Sequence, residues 1–205
     1  MTAGNDDTAL LFATDGQLEL LRASRLIYVD STFRVVPILY YQMFTIFVAH
    51  VDYTFPVCYA LMTRKTTELY MAVVEKLHVL APEFQPNQVI ADFEESPAAA
   101  TRAVFGNDIM VSGCWFHYAQ ALMKRLKKIG LTDAYKNDET TQVIFRCLLA
   151  LPLLPVADID PAFQDVKELV QDDSPSKTLI TQLCRYVQRQ WISKSSLCSS
   201  FVSNG

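Results

Sequence analysis

Residues 26–62 read LIYVDSTFRVVPILYYQMFTIFVAHVDYTFPVCYALM, and this stretch decides the fold. Three parts of it are rich in Tyr, Phe, Ile and Val and have the length of strands: LIYVD (26–30), YQMFTIFVAH (41–50) and PVCYALM (56–62). A turn between the second and third strands fits the residues Asp52, Tyr53 and Thr54. We therefore predict three adjacent antiparallel strands.

Helices and strands alternate after this stretch. Apolar residues at helical spacing follow Thr66 or Thr67, and Pro82 ends that pattern. The segments that come next are NQVIAD (87–92) as a strand, ESPAAATRAVF (95–105) as a helix, DIMVSG (108–113) as a strand, and a helix from Cys114 to Lys128 that Gly130 stops. This order predicts an α/β fold with a mixed sheet and flanking helices, the arrangement of the ribonuclease H-like fold.

The remainder of the chain has a helical pattern. Three segments carry apolar residues three to four positions apart, with prolines between them: ETTQVIFRCLLALPLLP (139–155), DPAFQDVKELVQ (160–171) and SKTLITQLCRYVQRQW (176–191). We predict a lead-in over 1–24, a ribonuclease H-like core over 25–131, a helical insertion or extension over 132–192, and a Ser-rich, disordered tail over 193–205.

Composition limits the class of protein. A chain of 205 residues with 51% hydrophobic content can bury a sizeable core. Its formal net charge of −4 argues against DNA binding by bulk electrostatics. The five cysteines are widely spaced and favour a reducing compartment over a disulfide framework. The apolar run 35–51 contains Pro37 and Gln42 and is better explained by strands than by a membrane span.

Two aspartates stand where buried strands are predicted to end. Asp30 closes RLIYVD and Asp92 closes NQVIAD. In a ribonuclease H-like sheet the first and fourth strands are neighbours, so the two carboxylates would come together. Mg²⁺ and Mn²⁺ prefer such oxygen ligands, and a site of this kind suits phosphoryl transfer. The alternative is that each aspartate is a turn residue or a helix cap.

Several motifs in order carry a resemblance to a known family. The runs VDSTFRVVP, YQMFTIFVA, PVCYALMTRKTTELY, VIADFEESPAAATRAVF and VSGCWFHYAQALMKRLKKIGL cover Ile27 to Leu131, about half the chain. Together they resemble the transposase domain of Mutator-like elements. The resemblance implies a divalent-metal-dependent DDE transposase that cleaves and joins DNA at element ends, works in the nucleus and self-associates.

The resemblance also assigns site residues. Asp30 and Asp92 match the first two acids of the DDE triad and would bind Mg²⁺ or Mn²⁺, and Cys114 and His117 match the Cys-x-x-His motif. The third acid of the family lies beyond a helical insertion, and the sequence after Trp191 does not resemble the helix that carries it. We therefore expect a truncated, inactive catalytic core with a weak metal site, in which Glu168 is the available substitute acid.

A second function is compatible with the same fold. The chain could be a domesticated, non-catalytic module that binds a protein partner through its helical region. A continuation of the reading frame with a glutamate-bearing helix would favour the transposase, whereas an intact stop would favour the module.

Three further features have alternative interpretations. Cys114 and His117 share a helix face and could bind zinc, form a structural hydrogen bond or lie beside the acids, as the resemblance implies. Glu94 and Glu95 fit solvated charges at a helix start. A basic cluster fits a solvated face or a DNA-contact surface: Lys124, Arg125, Lys127 and Lys128. The nearby aromatic residues fit the core, with a base-stacking platform as the alternative: Trp115, Phe116 and Tyr118.

Overall fold

The computed structural model describes residues 7–33 and 35–193. Its first part contains a six-stranded mixed sheet. The strands are β1 (Ala9–Phe12), β2 (Leu26–Thr32), β3 (Gln42–His50), β4 (Tyr53–Met62), β5 (Gln88–Ala91) and β6 (Met110–Gly113). Their order across the sheet is β1-β4-β3-β2-β5-β6. The pairs β1–β4, β4–β3 and β3–β2 are antiparallel, and β2 and β5 run parallel.

The described residues also contain eight α-helices. Their bounds are α1 (Asp15–Ala23), α2 (Thr67–Leu80), α3 (Glu95–Phe105), α4 (Trp115–Lys128), α5 (Thr132–Asn137), α6 (Glu139–Ala150), α7 (Val156–Glu168) and α8 (Lys177–Val187). A short 3₁₀ turn, Leu151–Leu153, follows α6, and a π-helical turn, Gln188–Ile192, continues α8. None of the helices in the described ranges is long and apolar enough to cross a membrane.

Local signals set the helix ends. The Thr66 side chain accepts a hydrogen bond from the Leu69 N–H and caps α2. Helix α4 ends at Lys128, and Gly130, two residues later, has φ of 81°. In that conformation the Leu131 N–H reaches the Leu126 carbonyl at 3.1 Å, which satisfies a terminal carbonyl of the helix. The predicted stop at Gly130 is therefore confirmed.

Contacts divide the described residues into two compact units, one ending at Ser112 and the other starting at Gly113. In the first unit, apolar side chains of the sheet and of α1, α2 and α3 form one core that includes Ile46, Met62 and Leu77. In the second, α4, α6, α7 and α8 bury residues such as Leu122 and Phe163. The helical region predicted over 132–192 is present, and the mixed sheet with flanking helices confirms the α/β prediction.

Some predicted boundaries shift. Residues 9–12, predicted as lead-in, form the edge strand β1, because Ala9 to Phe12 pair with β4. The hairpin between β3 and β4 turns at Val51 and Asp52, since His50 pairs with Tyr53. Helix α4, placed in the core by the prediction, belongs to the second unit. The predicted limits at 24, 131 and 192 stay predictions about domains.

The helical part also differs in detail. Pro161, predicted to separate helices, lies inside α7 at the cost of one intrahelical hydrogen bond. Helix α5 was not predicted. The predicted disordered tail, 193–205, falls outside the described residues from position 194 onward.

Candidate active site

Asp30 and Asp92 lie on neighbouring strands. In the parallel pair β2–β5, Tyr28 is level with Ile90. The pairing ends there, and Asp30 and Asp92 each follow two residues later in the same direction along the chain. Asp92 directly follows β5, as predicted. Asp30 is not the last residue of its strand, because Ser31 and Thr32 still pair with β3.

Each aspartate follows a buried residue. Val29 and Ala91, which precede Asp30 and Asp92, are 7% and 1% exposed. Because side chains alternate along a strand, Asp30 in β2 faces away from the side that buries Val29. Asp30 and Asp92 themselves are half-buried. The arrangement combines a low-dielectric support with access from solvent, which a metal-binding carboxylate requires.

Hydrogen bonds orient each carboxylate. The Thr32 hydroxyl donates to Asp30 Oδ2 at 3.4 Å, and the Glu94 N–H donates to Asp92 Oδ1 at 3.3 Å. The second bond forms a turn in which an aspartate side chain accepts from a backbone N–H two residues later. Asp92 therefore also fulfils the alternative interpretation as a turn residue at the start of α3, and the two roles are compatible.

A lysine lies close to this edge of the sheet. Lys65 Nζ is 3.1 Å from Glu94 Oε1 and 5.9 Å from the centroid of the Phe33 ring. The hydrogen bond to Glu94, and then the charge of that carboxylate, raise the pKa of Lys65. Glu94, interpreted from sequence as a solvated charge, is instead an ion-paired residue at the N-cap of α3. Glu95 is exposed in the first turn, as expected.

Tyr70 of α2 connects strands β2 and β3 through hydrogen bonds. Gln42 Nε2 donates to the Tyr70 hydroxyl oxygen at 2.7 Å, and the Ser31 and Tyr70 hydroxyls are 3.2 Å apart. Burial raises the pKa of Tyr70, with smaller contributions in the same direction from Glu94 and Asp92. Tyr70 is therefore a neutral hydrogen-bonding group at neutral pH, and it fixes Ser31, the neighbour of Asp30.

The acid pair fits part of a metal site. Mg²⁺ is commonly held by one or two protein carboxylates together with waters and substrate phosphates, and Asp30 and Asp92 supply that donor set. Among residues 7–33 and 35–193, no group of three His, Cys, Asp or Glu side chains could hold a metal ion.

Cys114 and His117 open the second unit. Cys114 is the N-cap residue of α4, and its carbonyl accepts the Tyr118 N–H at 3.2 Å. His117 lies in the first turn, with its ring 5.9 Å from that of Phe116. The thiol of Cys114 is not in a disulfide. Their expected place beside the aspartates stays a prediction.

Three of the four residues of the predicted basic cluster share an exposed face of α4. Lys124, Lys127 and Lys128 are exposed, whereas Arg125 is half-buried and has its guanidinium carbon 5.4 Å from the centroid of the Tyr186 ring. The aromatic residues also differ from one another. Tyr118 is fully buried and donates to the Leu148 carbonyl at 2.7 Å.

Trp115 and Phe116 were wrongly predicted to be core residues. They are 41% and 58% exposed. The Trp115 indole N–H donates to the Leu149 carbonyl of α6 at 2.9 Å, so this side chain packs at the surface of the second unit. Glu168, the proposed substitute acid, is exposed at the end of α7 in the second unit.

Part of the chain matches a known protein family. Residues 26–121, just under half of the chain, match the family model described as the MULE transposase domain. The matched range includes Asp30, Asp92, Cys114 and His117 and ends before Lys124. None of the curated proteins compared with the chain matches it.

Proposed function

Residues 26–121 form a MULE transposase domain, and from this premise we propose that Asp30 and Asp92 bind Mg²⁺ or Mn²⁺ for cleavage and transfer of DNA strands. The observation that supports the proposal is the parallel pairing of β2 with β5, because β2 contains Asp30 and β5 leads directly into Asp92. The ribonuclease H-like arrangement and the DDE type of chemistry belong to this proposal.

Each residue has a defined part in the chemistry. A divalent ion would supply positive charge that stabilises the transition state of phosphodiester attack. Asp30 and Asp92 would hold it, with their orientations fixed by Thr32 and by the Glu94 N–H. As the family motif implies, Cys114 and His117 would contribute to the same reaction.

Activity is expected to be weak. In-line phosphoryl transfer needs the entering and leaving oxygens to be stabilised together, and two carboxylates hold the ion less firmly than three. A loss of about 4 kcal/mol of transition-state stabilisation slows the reaction roughly a thousandfold. Glu168 is the first acid to test as a third ligand.

The partners follow from the family. The substrate is DNA, with transposon ends as the specific target, and the site of action is the nucleus. Self-association would bring two ends together. The exposed basic side chains of α4, Lys124, Lys127 and Lys128, would contribute contacts to phosphates.

Supercoiled plasmid cleavage tests this function. The wild-type chain, Asp92→Asn and the control Asp52→Asn are compared in Mn²⁺; Asp52 is an exposed turn residue. We expect slow nicking that Asp92→Asn abolishes and Asp52→Asn preserves. Equal rates in wild type and Asp92→Asn would overturn the assignment. No nicking and no Mn²⁺ binding by a folded chain would favour the non-catalytic interaction module.

A further inference from the structure

A groove in the second unit is built from arginine side chains. It encloses a volume of about 410 Å³ between α4 and the last helix. Its lining consists of Arg125, Gln182, Arg185, Tyr186, Arg189 and Gln190. We propose that this arginine groove binds consecutive phosphates of a DNA strand. The inference rests on the proposed function for its partner, but it does not use the aspartates.

Five of the six lining residues lie on one face of the last helix. Positions 182, 185, 186, 189 and 190 have the spacing of residues that share a side of an α-helix. The last two belong to the π-helical turn Gln188–Ile192, a form that is common at functional sites. Trp191 is 5% exposed and its ring lies 5.1 Å from that of Tyr118, so the turn is anchored in the core.

Arg125 reaches the groove from the opposite side. Its guanidinium lies over the Tyr186 ring, and the buried Nε has no hydrogen-bond partner within the described part of the chain. Leaving a buried charged donor without an acceptor is costly. Arg125 also lines the groove, and guanidinium groups bind phosphates through parallel N–H donors, so its remaining N–H groups suit a phosphate in the groove.

The charge in the groove is not balanced by its lining. Among the described residues that line it, three are arginines and none is acidic. Arg185 and Arg189 are four positions apart, a spacing at which like charges repel on a helix. The neighbouring depression includes Asp172, but that carboxylate is paired with Lys177. An anion would relieve the repulsion, even though the whole chain is negative.

The spacing favours a polymer of phosphates. Four residues of helix separate Arg185 from Arg189 by about 6 Å along the axis, so two neighbouring phosphates of one strand can each meet a guanidinium. The amides of Gln182 and Gln190 add uncharged donors, which suit the phosphate oxygens between them. A groove that binds backbone in this way recognises charge and not base sequence.

Fluorescence anisotropy with a labelled DNA duplex tests the groove. Arg185→Gln with Arg189→Gln is compared with a control that removes the same charge elsewhere on the unit, Lys136→Gln with Arg146→Gln; both control side chains are exposed. We expect the groove variant to bind about tenfold more weakly and to lower the salt-dependence slope by roughly 0.9 for each lost phosphate contact, hence by about 2. The control should behave like wild type.

A second variant keeps the charge. Arg125→Lys removes the planar fork and its stacking on Tyr186, so it should weaken binding while circular dichroism stays unchanged. Equal losses in the groove and control variants would overturn the proposal, as would binding of inorganic phosphate without competition by DNA. DNA binding by the groove should be the same in EDTA and in the Asp92→Asn variant. Failure of the metal chemistry is therefore distinguishable from failure of the groove.

Discussion

The hydroxyl oxygens of Ser31 and Tyr70 lie 3.2 Å apart, so the residue next to Asp30 is attached to helix α2. The same tyrosine hydroxyl accepts a hydrogen bond from the buried Gln42 amide. Through these two contacts the position of Asp30 depends on a side chain on the opposite face of the sheet.

Removal of this hydroxyl should therefore reduce stability. Tyr70→Phe leaves the buried Gln42 amide without its acceptor, and we expect a loss of about 1 to 3 kcal/mol in the free energy of unfolding. Urea denaturation measures it. Tyr53→Phe is the matched control, since Tyr53 is 70% exposed and should change little. Equal midpoints for Tyr70→Phe and wild type would show that the contacts do not stabilise the fold.

The charges at Lys65 and Glu94 should tune metal affinity in opposite directions. Lys65→Gln removes a cation near Asp92 and should tighten Mn²⁺ binding, whereas Glu94→Gln should weaken it. For a divalent ion about 10 Å away in water, one unit charge changes affinity by a factor of about four before salt screening. Calorimetry at low salt tests both variants, and a change of the same sign in both would contradict the prediction.

Val51 is a strained residue in the hairpin between β3 and β4. It has φ of 55°, which a β-branched residue rarely adopts, and it is the first central residue of a two-residue turn that favours glycine. Val51→Gly should stabilise the chain by about 1 kcal/mol, because the side chain is 81% exposed and little burial is lost. Thermal unfolding measures the gain, and Asp52→Gly, without that strain, should give none.

Stability should fall at high pH because of Cys58. Burial raises the pKa of this thiol from 9.0 to about 12. Above pH 9 the thiol ionises in the unfolded chain but not in the folded one, so folding loses about 1.4 kcal/mol for each further pH unit up to about pH 12. The measurement is the urea midpoint from pH 8 to 10.5. The stability of Cys58→Ala should decline less steeply with pH than that of the wild type. Parallel pH profiles for the two proteins would show that Cys58 does not cause the decline.

Local patterns predicted the elements that place the aspartates. The strand runs that end near Asp30 and Asp92, and the capped helix after Thr66, follow directly from alternating apolar residues and a cap. The contacts among side chains were not predictable in the same way. Lys65 and Glu94 are 29 positions apart, and only the folded chain shows that they meet.

The arginine groove was also not predictable from the sequence. Arg185 and Arg189 look like the solvated side of an amphipathic helix when read in sequence, and Arg125 looks like part of a lysine-rich run. Their common environment depends on how α4 packs against α8. Exposure of Trp115 was missed for the same reason, because the face that a helix buries is set by its neighbours.

Neutralising one aspartate should have opposite effects with and without metal. Two carboxylates that share one ion repel each other when the ion is absent, and more strongly where they are half-buried. Asp30→Asn should therefore raise the melting temperature in EDTA. In Mn²⁺ the wild-type chain should gain stability by binding, and the variant should lose that gain.

The double variant makes this test stricter. If both aspartates hold one ion, Asp30→Asn with Asp92→Asn removes little more of the Mn²⁺ effect than either single change, since the residues act as a unit. Asp52→Asn should keep the full effect. Independent, additive losses would indicate two separate weak sites. An unchanged Mn²⁺ shift in the double variant would exclude these carboxylates as the ligands.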